Sequence, residues 1–445
     1  FQAEDGIRDH LLGLVGSEMC IRDREYTMDT PTVDIKRGLE GVIFTETHLS
    51  AIDGEAGKLS YCGYDIQDLA SEASYEETAF LLWYQRLPAD TELQMLSDWL
   101  RSNRRLPKVV WGIMHSLPDQ ATPMEALRTV ASTLSMFDRS CIHEVEGGSS
   151  LCRSVSLTAK LPTIIASFDR LRRDRPPIEP RSDLGHAASF LYMLNGEEPD
   201  PRAAAALETY FVLLADHGMN ASTFSARVTA STLGDVFSSV VTALGTLKGP
   251  LHGGASQKSM EQLLEIGSVD NVDAWFEAQM ASGNRMFGFG HRVYKTEDPR
   301  ATILRELARH AAEGTGNTTW YDISERLEQR VLNHPYFQER RIYTNVDFYT
   351  APLLYALDIP VDLFIPMFAI ARISGWTAHV LEQQKHNRLI RPRAYYAGPT
   401  DLGWTGMADR APLVEAEPDA HCVAGQPANC PAALEVPPRF WPTAA

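Results

Sequence analysis

The stretch Gly288-Phe289-Gly290-His291-Arg292-Val293-Tyr294-Lys295-Thr296-Glu297-Asp298-Pro299-Arg300 places one imidazole directly after two glycines, with cations at 292, 295 and 300 behind it. Glycines let the backbone turn tightly and let a ligand come close to its N–H groups. A histidine in that position can donate to a developing oxyanion, and Lys and Arg can hold carboxylates or phosphates. The segment therefore reads as a site for an anionic substrate with a polarisable carbonyl. Two further segments carry chemistry of the same kind: Gly249-Pro250-Leu251-His252-Gly253-Gly254-Ala255 and Asn345-Val346-Asp347-Phe348-Tyr349. They add a second imidazole among glycines and a carboxylate.

In this order and spacing the three segments resemble the citrate synthase family. So do Asp216-His217-Gly218-Met219-Asn220-Ala221-Ser222-Thr223, Ala371-Arg372-Ile373-Ser374-Gly375-Trp376 and Arg391-Pro392-Arg393. Near the front, Gly38-Leu39-Glu40-Gly41-Val42 and Gly63-Tyr64-Asp65-Ile66 resemble the family's opening, and the likeness runs from roughly 36 to 403. Cys62 stands where the family often has Arg.

The resemblance implies a reaction. Acetyl-CoA loses a methyl proton, its enol attacks the ketone of oxaloacetate, and the citryl-CoA formed is hydrolysed to citrate and CoA. A thioester methyl is a very weak acid, so removing its proton needs a base on one side and a donor at the thioester oxygen. Asp347 fits the base and His252, neutral, fits the donor; His291 fits the group that polarises the ketone. General acid–base groups are worth about 10²–10⁴-fold each and an oxyanion donor about 10²–10³-fold. By the same resemblance His217, Arg300, Arg372 and Arg391 bind oxaloacetate, Arg391 from the neighbouring subunit of a homodimer. Lys295 is the cation for coenzyme A phosphates. No metal or redox cofactor is implied, since the CoA thioester is a substrate.

The elements that must position these groups are helical. Apolar residues recur at three- and four-residue spacing over Glu76 to Trp83, Asp90 to Leu100 and Met124 to Met136, and amphipathic patterns cover 301–312 and 323–332. A helix is expected from Pro201 to near His217, another over Val236 to Leu247, and apolar helices over 352–357 and 364–383. Strand-like pieces are confined to the front, Gly41 to Phe44 and Lys58 to Tyr61, and 170–181 reads as a loop. The expected class is all-α, a two-domain citrate synthase-like fold with a small N-terminal β element. The expected division is a large domain of 28–253 and 356–410 and a small domain of 254–355.

The two ends differ from the middle. Residues 1–27 resemble translated sequencing-adapter DNA and are expected to be a non-native leader, with Met28 as the natural start. Acidic residues crowd this leader and its apolar run is short, which excludes a signal peptide. Residues 411–445, rich in Pro and Ala, read as a disordered or spurious tail.

Composition limits the rest. A net charge of −17 over 445 residues argues against nucleic acid or an anionic membrane as partner. The six cysteines form no C-x-x-C pair, which fits a reducing, cytoplasmic setting.

Residue by residue, plainer readings stand beside these. Asp347 could cap the helix that follows it, Arg372 could serve a structural ion pair, and Lys295 could be a solvated charge. Arg391 is favoured over Arg393 on position. His115, His186 and His379 read as buried packing groups. For the whole chain, the alternatives are a 2-methylcitrate synthase using propionyl-CoA and a catalytically silent paralogue that binds CoA or dicarboxylates.

Overall fold

In the computed structural model the protein is described over residues 34–137 and 148–410. The segments expected to be a leader (1–27) and a tail (411–445) lie outside the described residues. Lys36–Arg391 form one compact unit. By itself, the 392–410 segment is exposed, with one 3-10 turn at Met407–Asp409.

The β element is a three-stranded antiparallel sheet of order β1 (Ser50–Asp53), β2 (Lys58–Tyr61) and β3 (Tyr64–Asp65), with Ser50 opposite Tyr61 and Tyr61 opposite Tyr64. The strand expected over 58–61 is present. The one expected over 41–44 is not: Gly41 sits at φ +72°, Ile43 is 91% exposed, and among the described residues no strand pairs with the run.

The rest is helical. In chain order the helices are α1 (Ile66–Glu72), α2 (Tyr75–Tyr84), α3 (Asp90–Asn103), α4 (Lys108–His115), α5 (Pro123–Leu134), α6 (Gly148–Leu171), α7 (His186–Asn195), α8 (Pro201–Leu214) and α9 (Ala221–Ser231). They continue as α10 (Val236–Leu247), α11 (Ala255–Ile266), α12 (Val272–Ser282), α13 (Pro299–Thr315), α14 (Thr319–Leu332), α15 (Pro335–Glu339), α16 (Val346–Ala356) and α17 (Phe364–Lys385). Their starts follow sequence rules. Thr122 and Glu125 form a capping box at α5, and Pro201 and Pro299 occupy first-turn positions behind the capping carboxylates of Asp200 and Asp298.

Helix α17 is the axis of the core. Val361–Lys385 is long and apolar enough to cross a membrane, but 89% of its apolar window is buried inside the protein. Phe364, Ile370, Ile373, Trp376 and Val380 are wholly buried, and each such side chain contributes roughly 1.5–3 kcal/mol. It packs on α2, α6, α8, α9 and α10.

Helix α16 begins earlier than the sequence suggests. Pro352 lies inside it rather than at its start. A mid-helix proline costs about 3 kcal/mol; burial of Phe348, Tyr349, Leu353 and Leu354 offsets that cost.

Candidate active site

The loop after α8 carries His217, and Asp216 pins it. The Asp216 carboxylate accepts from Ser50 Oγ (2.6 Å) and from the N–H of Gly218 (3.1 Å), and faces His379 Nε2 at 3.2 Å. His379 Nδ1 faces Arg227 Nη1 at 3.1 Å. Arginine only donates, so His379 carries its proton on Nε2 and gives it to Asp216. Burial alone would raise the Asp216 carboxyl, but His379, Arg372 and Ser50 outweigh it and hold the group at about 2. Gly375 on α17 is required by this approach: a Cβ there would lie 2.2 Å from Ala215 O.

His252 follows α10 and is half-buried. Its Nε2 lies 2.8 Å from Ser222 Oγ, which also accepts from the indole N–H of Trp376 at 3.0 Å. The Ser222 hydroxyl has one proton and two candidate acceptors, His252 Nε2 and Asn220 Oδ1 (2.8 Å). Asn220 Oδ1 already accepts from the backbone N–H of Ser222 and Thr223, so its two lone pairs are filled. The Ser222 hydroxyl reaches both acceptors, and where its proton goes decides the tautomer: given to His252 Nε2, it leaves His252 protonated on Nδ1. Burial, then Arg372, lowers its pKa to about 4, so the ring is neutral.

His291 has the opposite tautomer. Its Nδ1 accepts from the backbone N–H of Val293 (3.0 Å) and Tyr294 (3.1 Å), so the proton sits on Nε2. Burial and Arg300 pull its pKa to about 4. The loop can fold this way because Gly288 has φ +87°, and a Cβ there would lie 2.6 Å from the Phe348 ring. The rings of His217 and His291 are 5.3 Å apart, and Tyr294 Oη lies 3.2 Å from His217 Nε2. Burial, with Arg300, His291 and Arg372, drives His217 far below the ordinary histidine value.

Two buried guanidinium groups supply positive charge. Arg300 gives its Nε and Nη2 edge to Asp298 (3.0 and 2.7 Å). Burial disfavours its charge, yet Asp298 more than offsets that and keeps it protonated. Arg372 has no carboxylate in direct contact among the described residues. Its Nε donates to Leu214 O at 2.6 Å, and its guanidinium lies 4.7 Å from the Phe368 ring centre. Burial lowers its pKa to about 10, so it stays charged at neutral pH.

Asp347 sits in the first turn of α16, half-buried. The helix cap is Asn345, whose Oδ1 accepts from the Asp347 N–H at 3.0 Å, so the plainer reading of Asp347 as the cap is wrong. Burial raises its carboxyl to about 6 against the pull of Arg300 and Arg372, with Asp298 adding to the rise. Behind it, Glu328 accepts from Tyr349 Oη (2.7 Å), Thr344 Oγ1 and Arg305, while Thr344 O accepts from the Asp298 N–H at 3.3 Å. The Asp347 helix and the His291–Arg300 segment are thus fastened to one another.

The structure gathers His217, His252, His291, Asp347, Arg300 and Arg372. Arg300 perturbs His217, His291 and Asp347; Arg372 perturbs His217, His252 and Asp347. Lys295 is exposed near His291, its backbone N–H bonded to Gly54 O at 2.8 Å. Arg391 is exposed and makes no contact with this cluster. Of the histidines read as packing groups, His379 is buried and bonded, His186 is buried with neither ring nitrogen bonded among the described residues, and His115 is exposed. His115 closes α4 beside an exposed turn, so nothing covers it. Sequence reasoning assigned no role to Ser222, Asp298, Tyr294 or Phe368. The first three lie inside segments it singled out; Phe368 carries no local signal.

A carboxyl group raised toward neutrality, two neutral imidazoles and two buried guanidiniums define a site for carbon-acid chemistry on an anionic carbonyl substrate. The family model described as citrate synthase, C-terminal domain, matches residues 38–393. A citrate synthase of Haloferax volcanii is 46% identical over 381 residues, 85% of this chain and 99% of that protein. A 2-methylcitrate synthase of Mycobacterium tuberculosis is 39% identical over 376 residues, 84% and 94% of the two chains. A solved ternary complex of carboxymethyl coenzyme A and oxaloacetate with the citrate synthase of Thermoplasma acidophilum superposes with a TM-score of 0.80 at 31% identity, covering 85% of this chain and all of that one. The chain belongs to the citrate synthase family, and its expected all-α fold is the observed one.

Proposed function

We propose that the protein condenses acetyl-CoA with oxaloacetate and hydrolyses the citryl-CoA formed. The observation that carries this reading is Asp347, a carboxyl raised to about 6 by burial and within electrostatic reach of Arg300 and of Arg372, the latter a buried guanidinium with no direct carboxylate partner among the described residues. Asp347 takes the methyl proton; a base near neutrality suits that step. The Nδ1–H of His252 donates to the thioester oxygen as the enol forms. The Nε2–H of His291 donates to the ketone oxygen. Neutral imidazoles keep the basin from becoming too cationic and need no reorganisation as charge develops.

Oxaloacetate brings two carboxylates. Arg372 receives one through its Nη atoms, and Arg300 offers the Nη1 side that Asp298 leaves open, with His217 close by. Arg391, exposed in the single chain, reaches the partner's substrate in a homodimer, and Lys295 at the rim meets the CoA phosphates. We assign residues 254–355 to a small domain within this unit, and the protein to the cytoplasm. The chemistry uses no cofactor.

The second reading is 2-methylcitrate synthesis from propionyl-CoA, favoured by the similarity to the mycobacterial enzyme of that name. One methylene changes discrimination by only about 1–3 kcal/mol. Steady-state kcat/KM for the two thioesters with oxaloacetate separates the readings: acetyl-CoA is expected to be preferred at least tenfold, and a propionyl-CoA preference would reverse the assignment.

A further inference from the structure

Tyr210 lies on α8 one turn before Leu214, whose carbonyl holds Arg372 Nε. Helix α8 packs on α17, the helix that carries Arg372. The side chain is wholly buried, and its hydroxyl has no hydrogen-bond partner among the described residues. The other deeply buried tyrosines differ. Tyr61 reaches the carbonyls of Leu213 and Asp216, Tyr75 those of Ile370 and Ala371, Tyr294 meets His217, and Tyr349 bonds Glu328. Leaving one buried phenol unpaired is costly, and such groups call for an explanation.

The charges around Tyr210 indicate one. Asp347 and Arg372 both act electrostatically on its hydroxyl, in opposite directions. These are the groups assigned to the substrate methyl and to a substrate carboxylate. Tyrosine has the reach and the donor for an anion between them.

We propose that Tyr210 is a substrate-binding residue whose hydroxyl donates to the oxaloacetate carboxylate held by Arg372. This rests on the condensing reading above. The bond forms only with substrate present, so the hydroxyl adds to affinity and nothing to the stability of the free protein. Phenylalanine keeps the ring and removes the one unsatisfied atom.

The test is Tyr210→Phe, after oxaloacetate-dependent thiol release from acetyl-CoA has been established for the unaltered protein. Three quantities are read: melting temperature without ligand, the oxaloacetate dissociation constant by calorimetry, and the pH profile of kcat/KM. The expected result is a melting temperature equal to or above that of the parent. The dissociation constant should be raised about 10–100-fold, as for loss of a bond to a charged group, and the acid limb unmoved. A dissociation constant within twofold of the parent overturns the proposal. So does a melting temperature several degrees lower, which would mark a structural hydroxyl. A displaced acid limb with unchanged binding would mean that Tyr210 serves Asp347 instead, and also overturns it. If the unaltered protein releases no thiol, the condensing reading itself fails and this proposal with it.

Discussion

Ser222 Oγ lies 2.8 Å from His252 Nε2, and this contact sets which face of the imidazole carries a proton. With Nε2 accepting from Ser222, the Nδ1–H of His252 is free to donate. His291 is set the other way, its Nδ1 filled by two backbone N–H groups. The two neutral rings are complementary donors, one assigned to each substrate carbonyl.

Removing the serine hydroxyl should therefore act on chemistry more than on binding. Ser222→Ala is expected to lower kcat about 10–100-fold, less than the roughly 10²–10³-fold for loss of an oxyanion donor itself because the imidazole stays in place, while oxaloacetate affinity stays within twofold. Stopped-flow thiol release together with calorimetry checks both; an unchanged kcat would mean that the tautomer is set elsewhere.

The raised Asp347 carboxyl predicts an acid limb. Below about 6 the base is protonated in the free enzyme, so kcat/KM should fall about tenfold per pH unit. The two histidines, at about 4, titrate below this range and do not produce the limb. A profile flat down to pH 5 would contradict the assignment.

The same shift costs stability. Above about 6 the folded chain holds Asp347 charged and half-buried, whereas the unfolded chain exposes it to water. Below about 4 the group is protonated in both states and the penalty vanishes. A rise from 3.8 to about 6 is worth up to about 3 kcal/mol. Asp347→Asn should thus raise the melting temperature at pH 7.5 and give no gain at pH 3.5. A lower melting temperature at pH 7.5 would show that the carboxylate is structural.

Much of this site was legible because its histidines sit among glycines in short segments that resemble those of a known family, and the structure shows that Gly288 and Gly253 are needed there because a Cβ would meet Phe348 and Leu247. Helix Val236–Leu247 coincides with its expected span, since Asp235 caps it and Gly249-Pro250 ends the pattern. What sequence could not give is what depends on contacts far apart in the chain. Ser50 meets Asp216, Asp216 meets His379, and Trp376 meets Ser222, each across 154 residues or more. Helix α16 was cut short in the sequence reading because Pro352 looks like a start, and only burial explains its place inside. Tyr210 looks like any core aromatic until its hydroxyl is seen unpaired.

Subunit sharing is tested by mixing. Pro392 biases Arg391 toward an extended backbone, so the residue leaves the helix that precedes it. His291→Ala and Arg391→Ala, each nearly inactive alone, should regain a substantial minority of activity when co-refolded, because one site of a mixed dimer carries neither defect. Mixed dimers seen by mass with no activity above either variant would show that Arg391 does not act across the interface.

The most direct measurement is oxaloacetate-dependent thiol release from acetyl-CoA by the unaltered protein and by Asp347→Asn, with oxaloacetate binding measured in parallel. Condensation at this site predicts turnover for the first and a loss of at least about 100-fold for the second, with oxaloacetate still bound. No oxaloacetate-dependent release by the unaltered protein, or more than a tenth of its rate left in the variant, would contradict it.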